Sequence, residues 1–329
     1  MAVVVVGGGL VGLAVALELA RRGVAVTCLE RAVPGAEASS AAAGILAPRV
    51  EAHGDAEVRA LGLRSLAMYE TWLESLGTSA GFRRSGALVV GDASPDSEAV
   101  SVAGSRLAGL APGLAAPSAW WLADEALVDT RRLVGAVREG ARAAGVCFRA
   151  AIVGRVEPGG VWLAGGEHIA GEVVVCAGAW SALVGGLEAV PIAPVRGQLV
   201  ALGGPEVTSA VVFGAGGYLV PRDDELVAGS TVEDVGFARG VTAAGIRHIL
   251  AHAIDLCPSL AAAPLLRTWS NFRPGSPDGR PLVGAQGGVW LASGHYRNGV
   301  LLAPLTAQLL VAAMLDGAPL PTAWAPDRF

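Results

Sequence analysis

The feature that most constrains this chain is a glycine turn between an apolar run and an apolar helix. Residues 2–6 (Ala-Val-Val-Val-Val) are typical of a buried parallel strand. Residues 7–12 (Gly-Gly-Gly-Leu-Val-Gly) fit the pattern G-x-G-x-x-G, and apolar residues follow at helical spacing to Arg21. Because the order is strand, glycine turn and helix, it predicts a unit that binds the ADP half of a dinucleotide.

The three glycines of the motif have different physical tasks. Gly7 allows the tight turn, Gly9 lets the backbone approach a pyrophosphate, and Gly12 lets the helix pack against the strand. The first helical residues, Leu10 and Val11, present free N–H groups and the positive end of the helix dipole. The turn therefore predicts a site for the phosphates of the ligand.

Glu30 closes the second predicted strand, eighteen residues after Gly12. Its carboxylate can accept hydrogen bonds from the ribose hydroxyls, which argues against NADP and leaves FAD and NAD open. The sequence contains no second G-x-G-x-x-G. Enzymes that pass electrons from NAD(P)H to FAD through two nucleotide domains normally need one. This points to a flavoprotein that draws electrons from its substrate.

The charge pattern excludes some classes of function. Net charge is −5 and no basic tract stands out, so nucleic acid is not an expected partner. All 24 basic residues are arginine, which excludes chemistry through a lysine Schiff base. The four cysteines, Cys28, Cys147, Cys176 and Cys257, form no C-x-x-C pair. We interpret them as buried reduced thiols of a cytoplasmic protein, without a disulfide or a metal.

Two uncharged apolar segments, residues 1–17 and 299–315, resemble membrane or targeting signals. The first lacks a positive leading region and is interrupted by glycines, and both are slightly short for a span. We expect both to be buried elements, and no membrane partner.

The remaining pattern predicts an α/β protein with a Rossmann-like dinucleotide-binding domain and an inserted antiparallel sheet. Residues 146–156 and 172–176 are interpreted as strands that return to the first domain, and a final helix is predicted from near Leu302 to Leu315. We assign the binding domain to residues 1–80, 129–185 and 270–329. The substrate domain then comprises residues 81–128 and 186–269.

Five blocks of sequence, in order along the whole chain, resemble the FAD-dependent D-amino-acid oxidase family. The last two are the most specific, and the final block is similar to the C-terminal motif of bacterial glycine oxidases. The blocks are residues 43–48 (Ala-Gly-Ile-Leu-Ala-Pro), 175–180 (Val-Cys-Ala-Gly-Ala-Trp), 218–222 (Tyr-Leu-Val-Pro-Arg), 272–281 (Phe-Arg-Pro-Gly-Ser-Pro-Asp-Gly-Arg-Pro) and 294–304 (Gly-His-Tyr-Arg-Asn-Gly-Val-Leu-Leu-Ala-Pro). The resemblance implies the family's fold, the D-amino-acid oxidase or glutathione-reductase-2-like type.

The resemblance implies an amino acid held over the flavin by its carboxylate. Arg273 would bind that carboxylate through two parallel N–H bonds, and Tyr218 would add a phenol donor. Arg297 would lie near the pyrimidine end of the flavin or the substrate carboxylate. His295 is expected to make a structural hydrogen bond beside the flavin, and His53 to face solvent.

The same resemblance implies non-covalent FAD, because the covalent sarcosine oxidases use a cysteine that the final block lacks. Together with the glycine turn and Glu30, the resemblance predicts contacts with FAD at these residues: Gly7, Gly9, Leu10, Val11, Gly12, Glu30, Arg31, Ser39, Ser40, Ala43, Gly44, Ile45, Leu46, Val153, Ala177, Gly178, Trp180, Arg273, His295, Arg297, Asn298, Gly299, Val300 and Leu301.

The implied reaction is the oxidation of glycine, sarcosine or a small D-amino acid by oxygen. The products are the imino or keto acid, ammonia and hydrogen peroxide. Glycine oxidase activity with a role in thiazole formation for thiamine is the first expectation. The alternatives are a broad D-amino-acid oxidase and a D-amino-acid dehydrogenase with another electron acceptor. A homo-oligomer is also expected.

Overall fold

The predicted strand, glycine turn and helix are all present in a computed structural model that describes residues 2–187, 190–204 and 206–329. The helices of these residues are α1 (Leu10–Arg21), α2 (Ala38–Ala41), α3 (Pro48–Glu51), α4 (Ala56–Glu74), α5 (Gly104–Leu110), α6 (Thr130–Ala143), α7 (Ala243–Leu256) and α8 (Gly299–Asp316). The strands are β1 (Ala2–Val6), β2 (Ala25–Glu30), β3 (Ile45–Leu46), β4 (Ala87–Val89), β5 (Val100–Ala103), β6 (Ser118–Leu122), β7 (Ala126–Leu127), β8 (Cys147–Ala150), β9 (Val153–Glu157), β10 (Gly160–Leu163), β11 (His168–Ala170), β12 (Glu172–Val175), β13 (Ala193–Leu202), β14 (Val211–Gly214), β15 (Gly217–Pro221), β16 (Leu226–Gly229), β17 (Leu265–Gly275), β18 (Leu282–Gln286) and β19 (Val289–Ser293).

A six-stranded sheet in the order β18-β19-β12-β1-β2-β8 forms the centre of the dinucleotide-binding part. Its neighbours are parallel except for the hairpin of β18 and β19. Helices α1, α6 and α8 cover one face, and the small sheet β9-β10-β11 covers the other. Because both faces are covered, β1 is buried from Val3 to Val6, as its β-branched sequence requires.

The predicted strand at residues 146–156 is two strands in different sheets. Its first half is β8, at the edge of the central sheet, and its second half is β9, which pairs with β10. The chain leaves the central sheet where the Ala151 N–H donates to the Glu30 carbonyl at 2.9 Å. At this edge Cys147 is exposed, so the prediction of a buried thiol is wrong there, whereas Cys28, Cys176 and Cys257 are buried.

An eight-stranded sheet in the order β17-β13-β16-β15-β14-β4-β6-β5 forms the second layer. Its neighbours are antiparallel except for β14 and β4. Helix α7 packs on one face, and the other face contacts the segment around β3. The predicted fold class is confirmed. The exact segment limits stay a prediction, and β17 runs across the limit placed at residue 270.

Helix α8 is long and apolar enough to cross a membrane, and it is the one such helix of the described residues. Its first half, residues 300–307, is buried. The hydroxyls of Ser65 and Tyr69 on α4 donate to the carbonyls of Leu301 and Val300. Helices α1 and α4 therefore pack around α8, which fixes where its first turn lies.

Glu125, between β6 and β7, is a fully buried carboxyl group beside Arg49 of α3. Its Oε1 atom lies 3.3 Å from a terminal nitrogen of Arg49, whose other terminal nitrogen bonds Glu98 at 2.6 Å. Within the described part of the chain, the Oε2 atom of Glu125 has no hydrogen-bond partner. Burial raises the pKa of Glu125 to about 7, although Arg49 acts to lower it.

Replacement of Glu125 by glutamine is expected to change how stability depends on pH. Because the pKa of Glu125 is higher in the folded chain than in the unfolded chain, the free energy of unfolding falls as pH rises from about 4.5 to about 7. Glutamine does not titrate. The free energy of unfolding of the variant, relative to that of the wild type, is therefore expected to rise by about 3 kcal/mol between pH 5 and pH 8. Urea unfolding at both pH values measures this difference, and an equal effect at the two would contradict it.

Candidate active site

A cleft with about 1130 Å³ of empty space lies between the first turns of α1 and α8 and the face of the eight-stranded sheet. It brings together these residues of the sequence-based prediction: Gly9, Leu10, Val11, Ser39, Ala43, Gly44, Ile45, Gly178, Tyr218, Arg273, His295, Arg297, Gly299 and Val300.

The glycine turn has the close packing that the sequence predicts. Gly7 has φ +106°, and a Cβ there would lie 2.4 Å from the Cys176 carbonyl oxygen. A Cβ on Gly12 would lie 2.0 Å from the Gly7 carbonyl oxygen. At Gly9 the nearest atom to an added Cβ is the Ser39 hydroxyl at 3.3 Å, so this glycine borders open space. Two glycines thus fix the turn, and Gly9 faces the cleft.

Two helix N-termini point at the cleft. In α1 the Leu10 N–H donates to the Ser39 hydroxyl at 2.8 Å. Helix α8 begins at Gly299, three residues before the predicted start near Leu302. The N–H groups of Gly299 and Val300 have no acceptor among the described residues. Free N–H groups and the positive ends of two dipoles favour anionic groups of a ligand.

Glu30 lies beyond the cleft, at the far end of the glycine turn. Its Oε2 atom accepts from the Gly8 N–H at 2.8 Å, and Oε1 accepts from the Ala32 N–H at 3.0 Å. It lines a second cavity together with Phe148. Val153 begins β9, just after the point where the chain leaves the edge of the central sheet near Glu30.

Arg31 and Trp180 form a stack outside the cleft. The Arg31 guanidinium lies 4.0 Å from the centre of the Trp180 ring, which also stacks on Phe237 at 5.3 Å. The other predicted contacts that do not line the cleft are Gly7, Gly12, Glu30, Ser40, Leu46, Val153, Ala177, Asn298 and Leu301. Their predicted contacts with FAD stay predictions.

Arg273 of β17 lies flat against Gly197 of β13. A Cβ on Gly197 would lie 2.4–2.6 Å from three guanidinium atoms, so only glycine leaves room for this position. One terminal nitrogen of Arg273 donates to the Ser230 hydroxyl at 2.6 Å, and the other donates to the Thr231 carbonyl at 3.2 Å. Among the described residues Arg273 has no acidic partner.

Arg297 has a different environment, because it pairs with Glu51 of α3. Its Nε and one terminal nitrogen donate to the two oxygens of Glu51 at 2.5 and 2.8 Å. Glu51 is buried, which would raise its pKa, but the hydrogen bonds from Arg297 and the nearby His53 ring outweigh burial and lower the pKa to about 2. Both partners are therefore charged, and the pair carries no net charge.

Glu51 lines the cleft, and the sequence analysis did not identify it. One sequence signal could have identified it, because Glu51 lies three residues after the block at residues 43–48 that resembles the family. His53 is 68% exposed at its side chain, as predicted, and its Nε2 lies 3.7 Å from Glu51.

Tyr218 lines the same cleft as the two arginines. It is buried, and its ring and hydroxyl would be 3.1 Å from a Cβ on Gly229, the residue before Ser230. Its hydroxyl has no hydrogen-bond partner among the described residues and borders the cleft. The phenol is therefore available to a ligand.

His295 is buried beside the first turn of α8. Its Nε2 lies 3.0 Å from the Thr306 hydroxyl, and burial lowers the pKa of His295 to about 4. The ring is neutral near pH 7, and its hydrogen bond with Thr306 has a structural role, as the sequence analysis predicts.

The arrangement fits FAD. The glycine turn and the first turn of α1 form a cradle for a pyrophosphate, and the first turn of α8 offers further N–H groups in the same cleft. The neutral His295 and the small residues around Ala43 allow a flat ring system to lie against the protein.

Comparison with known proteins gives the same family over nearly the whole chain. Residues 2–313 match the family described as FAD dependent oxidoreductase (DAO). The glycine oxidase of Pseudomonas putida is 33% identical over 99% of this chain and 98% of its own length. The bifunctional protein ThiO/ThiG of Synechocystis is 36% identical over 99% of this chain, which spans 54% of that relative. The chain thus spans about half the length of the ThiO/ThiG relatives that it matches.

A solved structure agrees with these relatives. The glycine oxidase of Geobacillus kaustophilus has a TM-score of 0.91 and 29% identity, covering 99% of this chain and 98% of the other. The resemblance predicted from the sequence is confirmed, and FAD is the cofactor of the matching family. The chain therefore belongs to the DAO family of FAD dependent oxidoreductases.

Proposed function

We propose that the protein catalyses the oxidative deamination of glycine with FAD as cofactor and oxygen as electron acceptor. Glycine, oxygen and water would give glyoxylate, ammonia and hydrogen peroxide, with the imino acid formed first. Relatives named glycine oxidase that match almost their full length support glycine as substrate. Sarcosine and small D-amino acids are the other candidates.

The observation that carries the proposal is the state of Arg273. A buried or half-buried arginine in a protein normally has an acidic partner, since an unpaired charge is costly to desolvate. Arg273 instead has two neutral acceptors and faces a cleft. This arrangement leaves a fixed positive fork for an anionic ligand, and a carboxylate fits that fork with two parallel bonds.

The chain's own residues would orient the substrate. Arg273 binds the carboxylate, and the Tyr218 hydroxyl donates to it from β15 of the same sheet. The neutral pair of Arg297 and Glu51 closes another side of the cleft. Binding in one orientation supplies much of the rate, because it turns a collision into a fixed encounter. FAD, when bound, accepts two electrons and a hydrogen from the substrate and passes them to oxygen.

The relatives named ThiO/ThiG support the prediction that the product serves thiazole formation for thiamine. The cytoplasmic location and the homo-oligomeric state stay predictions from the sequence.

A substrate screen tests the reaction. We expect peroxide release in a coupled assay with glycine, sarcosine and small D-amino acids, because Arg273 can bind the substrate carboxylate whether or not the substrate has a side chain. Each L-enantiomer provides the matched control for its D-form. Turnover of L-enantiomers alone would contradict the proposal, and flavin reduction without peroxide would identify another electron acceptor.

Replacement of Arg273 by alanine tests the carboxylate site. Loss of one partner of a desolvated charged pair costs roughly 2–5 kcal/mol, and we expect this loss in kcat/KM for glycine, with normal FAD content. The control is Arg267→Ala on the same strand, because Arg267 pairs with Glu225 and does not line the cleft. Near-wild-type activity of Arg273→Ala would show that the assignment is wrong.

Replacement of Gly197 by alanine tests the position of the guanidinium. The new Cβ would displace the Arg273 guanidinium, which is the movable end of a side chain, so the fold is expected to survive. A misplaced group of this kind lowers kcat/KM by about 10- to 100-fold. The control is Gly154→Ala in β9, where the nearest atom to the new Cβ is 3.7 Å away. Unchanged kinetics of Gly197→Ala would mean that the Arg273 guanidinium does not bind the substrate from its position over Gly197.

A further inference from the structure

The two arginines that line the cleft carry different net charges once their partners are counted. Among the described residues, Arg273 has only the Ser230 hydroxyl and the Thr231 carbonyl as partners, so none of them compensates its charge. Arg297 donates two bonds to Glu51, whose side chain is 7% exposed and ionised. The cleft therefore presents one net positive charge, although it contains two cations.

The two arginines lie on adjacent segments. The Tyr296 N–H donates to the Pro274 carbonyl at 2.9 Å, and each of these residues is next in sequence to one of the arginines. Tyr218 packs beside Gly229, the residue before Ser230, and lines the same cleft as Arg297. A ligand whose carboxylate is bound by Arg273 would therefore place a second acidic group near the pair of Arg297 and Glu51.

We propose that Glu51 determines substrate specificity by neutralising Arg297, so that the cleft accepts one carboxylate and rejects a second. A second carboxylate near Glu51 would meet a buried like charge, and the Nε edge of Arg297 is already occupied by Glu51. Like charges placed together in a desolvated site are strongly unfavourable. This inference rests on the proposed function, because it assumes that Arg273 binds the first carboxylate.

The test compares malonate with malonamate, which have nearly the same shape and differ by one charged group. Their dissociation constants for the FAD-loaded protein are measured through the change in flavin absorbance. We expect the wild type to bind malonamate about tenfold or more tightly than malonate. Glu51→Gln frees the charge of Arg297, and we expect it to shift this ratio at least about tenfold towards malonate.

Two further variants keep the inference falsifiable. In Glu51→Gln/Arg297→Gln both charges are absent. The shift of the binding ratio towards malonate that is expected in Glu51→Gln should therefore disappear. In Arg297→Gln the charge of Glu51 is no longer compensated, and malonate is expected to bind even more weakly relative to malonamate than in the wild type. The matched control is Glu125→Gln, which alters another buried glutamate that pairs with an arginine but does not line the cleft.

The outcomes separate this inference from the proposed function. If Glu51→Gln and Arg297→Gln both leave the ratio at its wild-type value while acetate still binds, Glu51 does not set the charge preference. If the wild type neither binds acetate nor oxidises glycine, the proposed function is wrong instead. A shift of the same size in Glu125→Gln would also overturn the inference, because the effect would then not depend on the cleft.

Discussion

A close backbone contact between the two ends of the glycine turn determines where the cleft lies. Gly12 approaches the Gly7 carbonyl and Gly7 approaches the Cys176 carbonyl so closely that a Cβ at either position would overlap main-chain atoms. These contacts fix α1 against β1 and β12, so the first turn of α1 can point in only one direction. Helix α8 packs on α1, and its own first turn is therefore directed to the same place. The phosphate site and the site of the chemistry thus depend on one turn.

The sequence predicts best what is encoded by neighbouring residues. Strand β1, the glycine turn and helix α1 form a local pattern, and the structure matches the predicted limits of β1. The start of α8 was placed too late, because Gly299 is a poor helix former and its helical conformation comes from tertiary packing. The strand at residues 146–156 was predicted as one element, because its apolar run contains no signal for the change of sheet near Ala151.

The candidate site was predicted where the resemblance supplied residues, and missed where a distant ion pair decides its charge. Arg273, Tyr218 and Arg297 all line the cleft. Glu51 is 246 residues from Arg297 in sequence, and no local pattern predicts a pair over that separation. The same holds for Gly197, which looks like an ordinary strand glycine until β13 is paired with β17. Contacts of this kind depend on the fold as a whole.

The absence of lysine gives both cations of the cleft the same planar shape, so their partners alone distinguish them. A guanidinium has five N–H donors in a fixed fork, whereas an ammonium is a point charge that rotates freely. Arg297 donates from one edge of its guanidinium to Glu51, so this pair lines the cleft without a net charge. Arg273 uses its donors on Ser230 and Thr231 only to hold its orientation over Gly197. Because the guanidinium is already oriented, a carboxylate does not have to order it on binding, and more of the binding energy remains for placing the substrate.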